Sequence, residues 1–87
     1  MQELSKKEQI CKTAGELLKK LRGGKSQFMF SSENDISISI VNTFERGLKD
    51  PQLTTVFRIA EALNLKPSEF VRMIEDELPE DFYMIDK

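Results

Sequence analysis

The chain of 87 residues contains no histidine and only one cysteine, Cys11. The first absence removes the side chain best suited to general acid–base work near neutral pH, and the two together exclude metal sites of the Cys/His kind. A single cysteine forms no internal disulfide, which fits a reducing compartment, and a thiolate here would lack its usual base. Cys11 is therefore expected to be a small packing residue on the first helix. No run approaches the roughly 18 apolar residues needed to span a bilayer. The opening "MQELSKKEQ" has no apolar segment of the secretory type. A cytoplasmic protein with no membrane contact is expected. There is also no phosphate-cradling glycine loop, and the chain is too short for a large cleft. Carboxylates remain as the acid–base groups, and their densest run, "EDELPED" at 75–81, reads as a solvated helix end rather than a metal site. The expectation is a protein that is not an enzyme and needs no cofactor or metal ion.

What is present describes one folded domain: 39% hydrophobic and 32% charged residues, enough for a single core. The net charge of −2 conceals a division. Residues 1–49 hold nine Lys/Arg against six Asp/Glu, a balance of +3, whereas residues 50–87 hold four against nine, a balance of −5. The front half can face a polyanion, and the back half either points away from one or simply confers solubility.

Apolar spacing and cap residues divide the chain into five helices. "SKKEQICKTAGELLKKLR" (5–22) sets Ile10, Ala14, Leu17, Leu18 and Leu21 on one stripe, opens with a Ser5/Glu8 capping box and is stopped by Gly23 and Gly24. Ser26 is the expected cap of a short helix from Gln27 to Ser32 or Glu33. Asn34 and Asp35 suit a tight turn, and Ser37 caps "ISIVNTFER", which Gly47 ends. After the loop "LKDPQLT", Thr54 is the expected cap of a helix carrying Val56, Ile59, Ala60 and Leu63. A last helix starts near Pro67. The expected organisation is an all-α, compact five-helix domain over 1–78 with its motif at 27–46, then an acidic, aromatic-containing tail at 79–87.

At about 100° per residue from Ile38, positions Ile38, Asn42, Ser39 and Thr43 fall at about 0°, 40°, 100° and 140°, while Ile40, Phe44 and Val41 fall at about 200°, 240° and 300°. The second group can anchor the helix, which leaves the first displayed. A helix held on one side, behind a short helix and a tight turn, has the shape that enters a DNA major groove. In that setting Asn42 suits adenine, Ser39 and Thr43 suit base edges or phosphate oxygens, and Ile38 suits a thymine methyl. Candidate phosphate contacts are Lys25, Ser26, Gln27, Ser37, Arg46 and Lys49, which supply cations, hydroxyls or helix N-terminal amides.

"SQFMFSSENDISISIVNTFERG" resembles, without a gap, the S-Q-x-x-L-A-x-x-x-G-[IV]-S motif and its continuation in the phage-repressor type helix-turn-helix family, also known as Cro or XRE-like. "ERGLKDPQLTTVFRIAEALNLKPSEF" continues the likeness and "GELLKKLR" is similar to the end of that family's first helix, so it covers about residues 14–72. The resemblance implies a lambda-repressor-like DNA-binding fold and a regulator of transcription, a repressor or an antitoxin-like autoregulator. It further implies that Gln27 touches a phosphate or base, that Ile38, Ser39, Asn42 and Thr43 face the groove, and that Arg22 pairs with Glu45.

Four departures bear on this reading. Asp35 stands at the turn where glycine is usual, Ser31 replaces a small alanine, and the first loop is two residues short, with Lys25 in place of a leucine. Phe28, Met29 and Ile38 occupy positions that are normally polar. These three are either repacked core, with Phe28 filling the space left by the short loop, or a protein contact, or contacts to base methyls. Specific binding is expected from a homodimer on a palindromic operator of double-stranded DNA, its two reading helices roughly 34 Å apart. The candidate dimer or partner surface comprises Phe70, Met73 and Ile74 of the last helix with Phe82, Tyr83, Met84 and Ile85 of the tail, unless these fold back over their own domain. The alternative function is a protein–protein interaction module on a helix-turn-helix scaffold with little DNA affinity.

Overall fold

The computed structural model describes residues 4–85. The helices are α1 (Lys6–Arg22), α2 (Gln27–Asn34), α3 (Ile38–Arg46), α4 (Leu53–Ala62) and α5 (Pro67–Glu77), and no strand occurs among the described residues. Each begins or ends on an identifiable local device. Ser5 accepts from the Glu8 amide at 3.1 Å while Glu8 accepts from the Ser5 amide at 3.3 Å, so two amides that the first turn would leave unpaired are satisfied. Ser26 and Ser37 do the same for α2 and α3, accepting from Met29 and Ile40 at 3.1 and 3.4 Å.

Two helices end alike. At the end of α2, Asp35 takes a left-handed conformation with φ 52°, and the Ile36 amide reaches back to the Ser31 carbonyl at 3.1 Å. At the end of α4, Asn64 takes φ 62° and the Leu65 amide reaches the Ala60 carbonyl at 2.9 Å. In both, the apolar residue after the left-handed one turns inward: Ile36 is buried and Leu65 packs against the core. Asp35 thus serves where glycine is usual. Arg58 of α4 donates to its carbonyl at 2.9 Å and ties the turn to the rest of the domain.

The helices enclose one core, in which Leu18, Val41, Ile59 and Phe70 are fully buried and the rings of Phe44 and Phe70 lie 6.3 Å apart. Its tightest point is the contact of α1 with α3. A Cβ built on Gly15 would sit 2.5 Å from the carbonyl oxygens of both Phe44 and Glu45, so the two backbones touch where a side chain would hold them apart. One turn earlier on α1, Gly47 ends α3 with φ +64°, and a Cβ there would come 2.8 Å from the Cα of Lys12. Cys11 lies buried in this region, and burial, followed by the charge of Asp50, pushes its thiol pKa up.

Several sequence expectations need correction. Phe70 is fully buried and Ile74 is buried, with Met73 packed against the same cluster, so none of the three offers a ready partner surface. The apolar stripe of α5 is consumed by its own core. Phe28 does not fill the space left by the short first loop, because it is 68% exposed. Leu21 follows the stripe of α1 but lies near its end, beyond the packed region, and is exposed. The cap of α4 is Gln52, not Thr54: the Val56 amide bonds to the Gln52 carbonyl at 3.1 Å, placing Thr54 inside the first turn, and no side chain caps it. Helix α2 runs one residue longer than expected, to Asn34, whose Nδ2 donates to the Phe30 carbonyl at 2.9 Å. In the tail, Phe82 is half-buried, beside Ile10, Ile74 and Leu78, whereas Tyr83, Met84 and Ile85 are exposed. Residues 86 and 87 of the expected tail lie outside the described residues.

Two substitutions test this packing. Gly15→Ala should lower stability by about 2 kcal/mol or more, because overpacking against backbone outweighs alanine's better helix propensity. Ser31→Ala should raise it by about 1 kcal/mol, since the buried Ser31 hydroxyl has no hydrogen-bond partner among the described residues. Urea unfolding of each variant against the parent measures both.

Candidate nucleic-acid interface

Val41 and Phe44 are buried and Ile40 packs on the core, which fixes the rotation of α3 about its own axis. That rotation leaves Ile38, Ser39 and Asn42 exposed and Thr43 half-buried, on one arc. A chain of polar contacts then runs from the interior to this arc. Arg22 donates to Glu45 through Nε at 2.6 Å and through a terminal nitrogen at 2.8 Å, a two-pronged pair whose side chains are 12% and 4% exposed. Gln27 Nε2 donates to the same carboxylate at 3.0 Å, and Asn42 Nδ2 donates to Gln27 Oε1 at 3.3 Å. Gln27 is thereby held at both ends of its amide, between the core pair and the displayed helix. One Asn42 N–H and its Oδ1 remain available, the donor and acceptor that an adenine edge requires.

The carboxylate of Glu45 is the hinge of this chain. Burial by itself would raise its pKa, but hydrogen bonds from Arg22 and Gln27 and the charges of Arg22 and Lys19 outweigh burial and hold it below the usual carboxylate range.

The candidate phosphate ligands divide by their present engagements. Arg46 and Lys49 are exposed at the C-terminal end of α3 and in the loop after it, and Lys49 lines a shallow cleft of about 240 Å³ with Ser39 and Thr43. Lys25 forms a surface ion pair with Glu33, so it must exchange partners to meet a phosphate. Ser26 and Ser37 accept from helix amides, yet their hydroxyl protons remain free to donate. The apolar trio is outward: Phe28 is 68% exposed, and Met29 and Ile38 are each 48% exposed.

A helix-turn-helix family model matches residues 18–70, more than half of the chain. The chain belongs to the helix-turn-helix family of the Cro/C1 type. Helix-turn-helix proteins of this type are DNA-binding regulators of transcription rather than enzymes. Among curated proteins, none matches the chain. The matched span contains α2, the turn, α3 and α4 entire, together with the end of α1 that carries Arg22. No helix among the described residues is long and apolar enough to cross a membrane, and no group of three or more acidic or cysteine side chains is placed to hold a metal ion.

Sequence reasoning missed three features of this helix-turn-helix domain. Arg58, twenty-three positions beyond the turn it braces, gave no local signal. Gly15 did give one, because a glycine inside an otherwise strong helical pattern usually marks a close approach. Leu48 in the α3–α4 loop and Leu53 and Phe57 on α4 are also exposed; the latter two fall off the stripe by which α4 is recognised.

A pH series tests the role of Glu45. With its folded pKa below the unfolded value of about 4.3, its stabilising contribution is complete above that value and disappears as pH falls through the folded pKa. Glu45→Gln, which keeps hydrogen-bonding capacity without the charge, should therefore show a shallower loss of stability between about pH 5 and 2 than the parent. Thermal unfolding followed by circular dichroism across that range reads the difference, and parallel curves would remove Glu45 from the acid response.

Proposed function

We propose that this helix-turn-helix protein is a sequence-specific regulator, a repressor or an antitoxin-like autoregulator, that acts by laying α3 in the major groove of its operator. The observation that carries the reading is the fixed presentation of Asn42. Its amide is held through Gln27 and Glu45 to a nearly buried arginine, on a helix whose opposite side is core. In this arrangement Ser39, Asn42 and Thr43 address base edges, while Arg46, Lys49 and the helix-start groups at Ser26, Gln27 and Ser37 hold the phosphates. Lys25 joins them by releasing Glu33.

So few cations give a monomer weak, salt-sensitive affinity, and a homodimer on a palindromic site supplies the rest. The exposed Tyr83, Met84 and Ile85, beside the half-buried Phe82, are the tail groups available for such a contact. Action in the cytoplasm follows from this reading. The exposed Phe28 and Met29 favour one competing interpretation, a protein-docking module that has kept the scaffold and lost its DNA.

Fluorescence anisotropy against a randomised duplex pool, at low and then physiological salt, separates the two. A DNA regulator selects a subset of duplexes, loses affinity steeply with salt, and loses selection in an Asn42→Ala/Arg46→Ala variant. Equal binding by that variant, or no selection even at low salt, would remove α3 as a reading element.

A further inference from the structure

Beside the stripe that α5 spends on its own core, the outer edge of the helix forms one wall of an open cleft of about 700 Å³. Val71, Glu75 and the C-cap Leu78 stand on that edge at four- and three-residue spacings, and Val71 is exposed. After Pro79 the chain turns, the Phe82 amide bonding to the Pro79 carbonyl at 3.0 Å, and the tail supplies Phe82, Tyr83 and Met84 as a second wall. Phe82 is half-buried and holds this wall in place, whereas Tyr83 and Met84 present most of their carbon to water. None of the lining residues belongs to α2 or α3, so the cleft shares no group with the reading arc.

Its charge is of one sign. Glu75, Asp76 and Glu80 line it, no lysine or arginine does, and none of these carboxylates forms an ion pair among the described residues. Nucleic acid and acidic proteins are repelled by such a rim. A second copy set symmetrically into the cleft would bring the three carboxylates against their own images, which costs affinity. Ile85 does not line the cleft and stays available for contact between copies. The occupant that suits both apolar walls and acidic rim is a segment that alternates apolar and cationic side chains. Lysine and arginine lay their carbon stems on apolar surface while their heads reach carboxylates, an arginine can stack on the Tyr83 ring, and methionine adapts its shape to what meets it.

We propose that this cleft is a docking site for a basic amphipathic helix of a partner protein. Val71, Tyr83 and Met84 hold its apolar side chains, and Glu75, Asp76 and Glu80 pair with its lysines or arginines. A helix places such groups at the same three- and four-residue spacings that α5 offers along 71–78, so two turns of each can lie side by side. The site goes beyond the DNA reading and does not depend on it.

The probe is a fluorescein-labelled helical peptide of leucine and lysine, about 16 residues long so that it holds a helix. Two controls accompany it: the same leucine pattern with glutamate for lysine, and the same leucines and lysines reordered so that no apolar face forms. Anisotropy with the full chain at low salt should show the amphipathic basic peptide bound more tightly than either. Glu75→Gln/Glu80→Gln should weaken it about fivefold, the value of two exposed ion pairs. Tyr83→Ala/Met84→Ala should weaken it about tenfold through lost apolar contact. Glu16→Gln/Glu61→Gln, which removes two exposed carboxylates outside the cleft, should leave affinity unchanged. No binding of the basic peptide overturns the proposal. An equal loss in the Glu16/Glu61 variant, or equal affinity for the reordered peptide, reduces the effect to net charge and overturns it as well. Sedimentation of the parent and of Glu75→Gln/Glu80→Gln covers the remaining occupant: self-association strengthened by removing those charges would make the cleft a contact between copies and overturn the assignment to a basic partner.

Discussion

The close crossing of α1 and α3 is the constraint on which the rest depends. Gly15 lets the backbone of α1 rest on the carbonyl groups of Phe44 and Glu45, and Gly47 lets the end of α3 turn against Lys12. With the helices this near, Arg22 at the far end of α1 reaches Glu45 in a two-pronged pair. Steric contact therefore sets the separation of the two helices, and the ion pair sets their register. Interiors packed at crystal-like density do not slide by small increments, so these contacts hold α3 in one orientation.

That orientation is passed outward by hydrogen bonds. Glu45 accepts from both Arg22 and Gln27, and Gln27 accepts from Asn42, so a displayed amide is held by a group almost out of water. Its free rotamers are reduced before any DNA arrives, which lowers the ordering cost of binding. The turn is braced from the other side. Asp35 supplies the left-handed residue, Ile36 plugs into the core, and Arg58 holds the Asp35 carbonyl.

The interface built on this frame has little positive charge. Arg46 and Lys49 flank the reading arc, Lys25 is shared with Glu33, and the C-terminal half of the chain is acidic. Affinity from counterion release scales with the number of phosphate contacts, so the few exposed cations on this surface limit the charge-driven attraction it offers a polyanion.

The sequence by itself determined the five helices, the rotation of α3 and most of the caps, because each rests on patterns between residues three or four positions apart; the family followed from a longer motif that runs through several of these helices. The Ser5/Glu8 box, Ser26, Ser37 and the anchoring by Val41 and Phe44 are all of this kind. Thr54 failed because a cap-forming residue type is common, and the backbone had already entered its helix after Gln52. Tertiary structure alone decided which apolar residues are surface. Phe28 and Phe70 are the same residue type and each sits on a helix, yet one is largely exposed and the other is fully buried. Burial depends on what lies opposite, and that is fixed by contacts such as Gly15 on Glu45 and Arg58 on Asp35, between residues 30 and 23 positions apart, which no local pattern records.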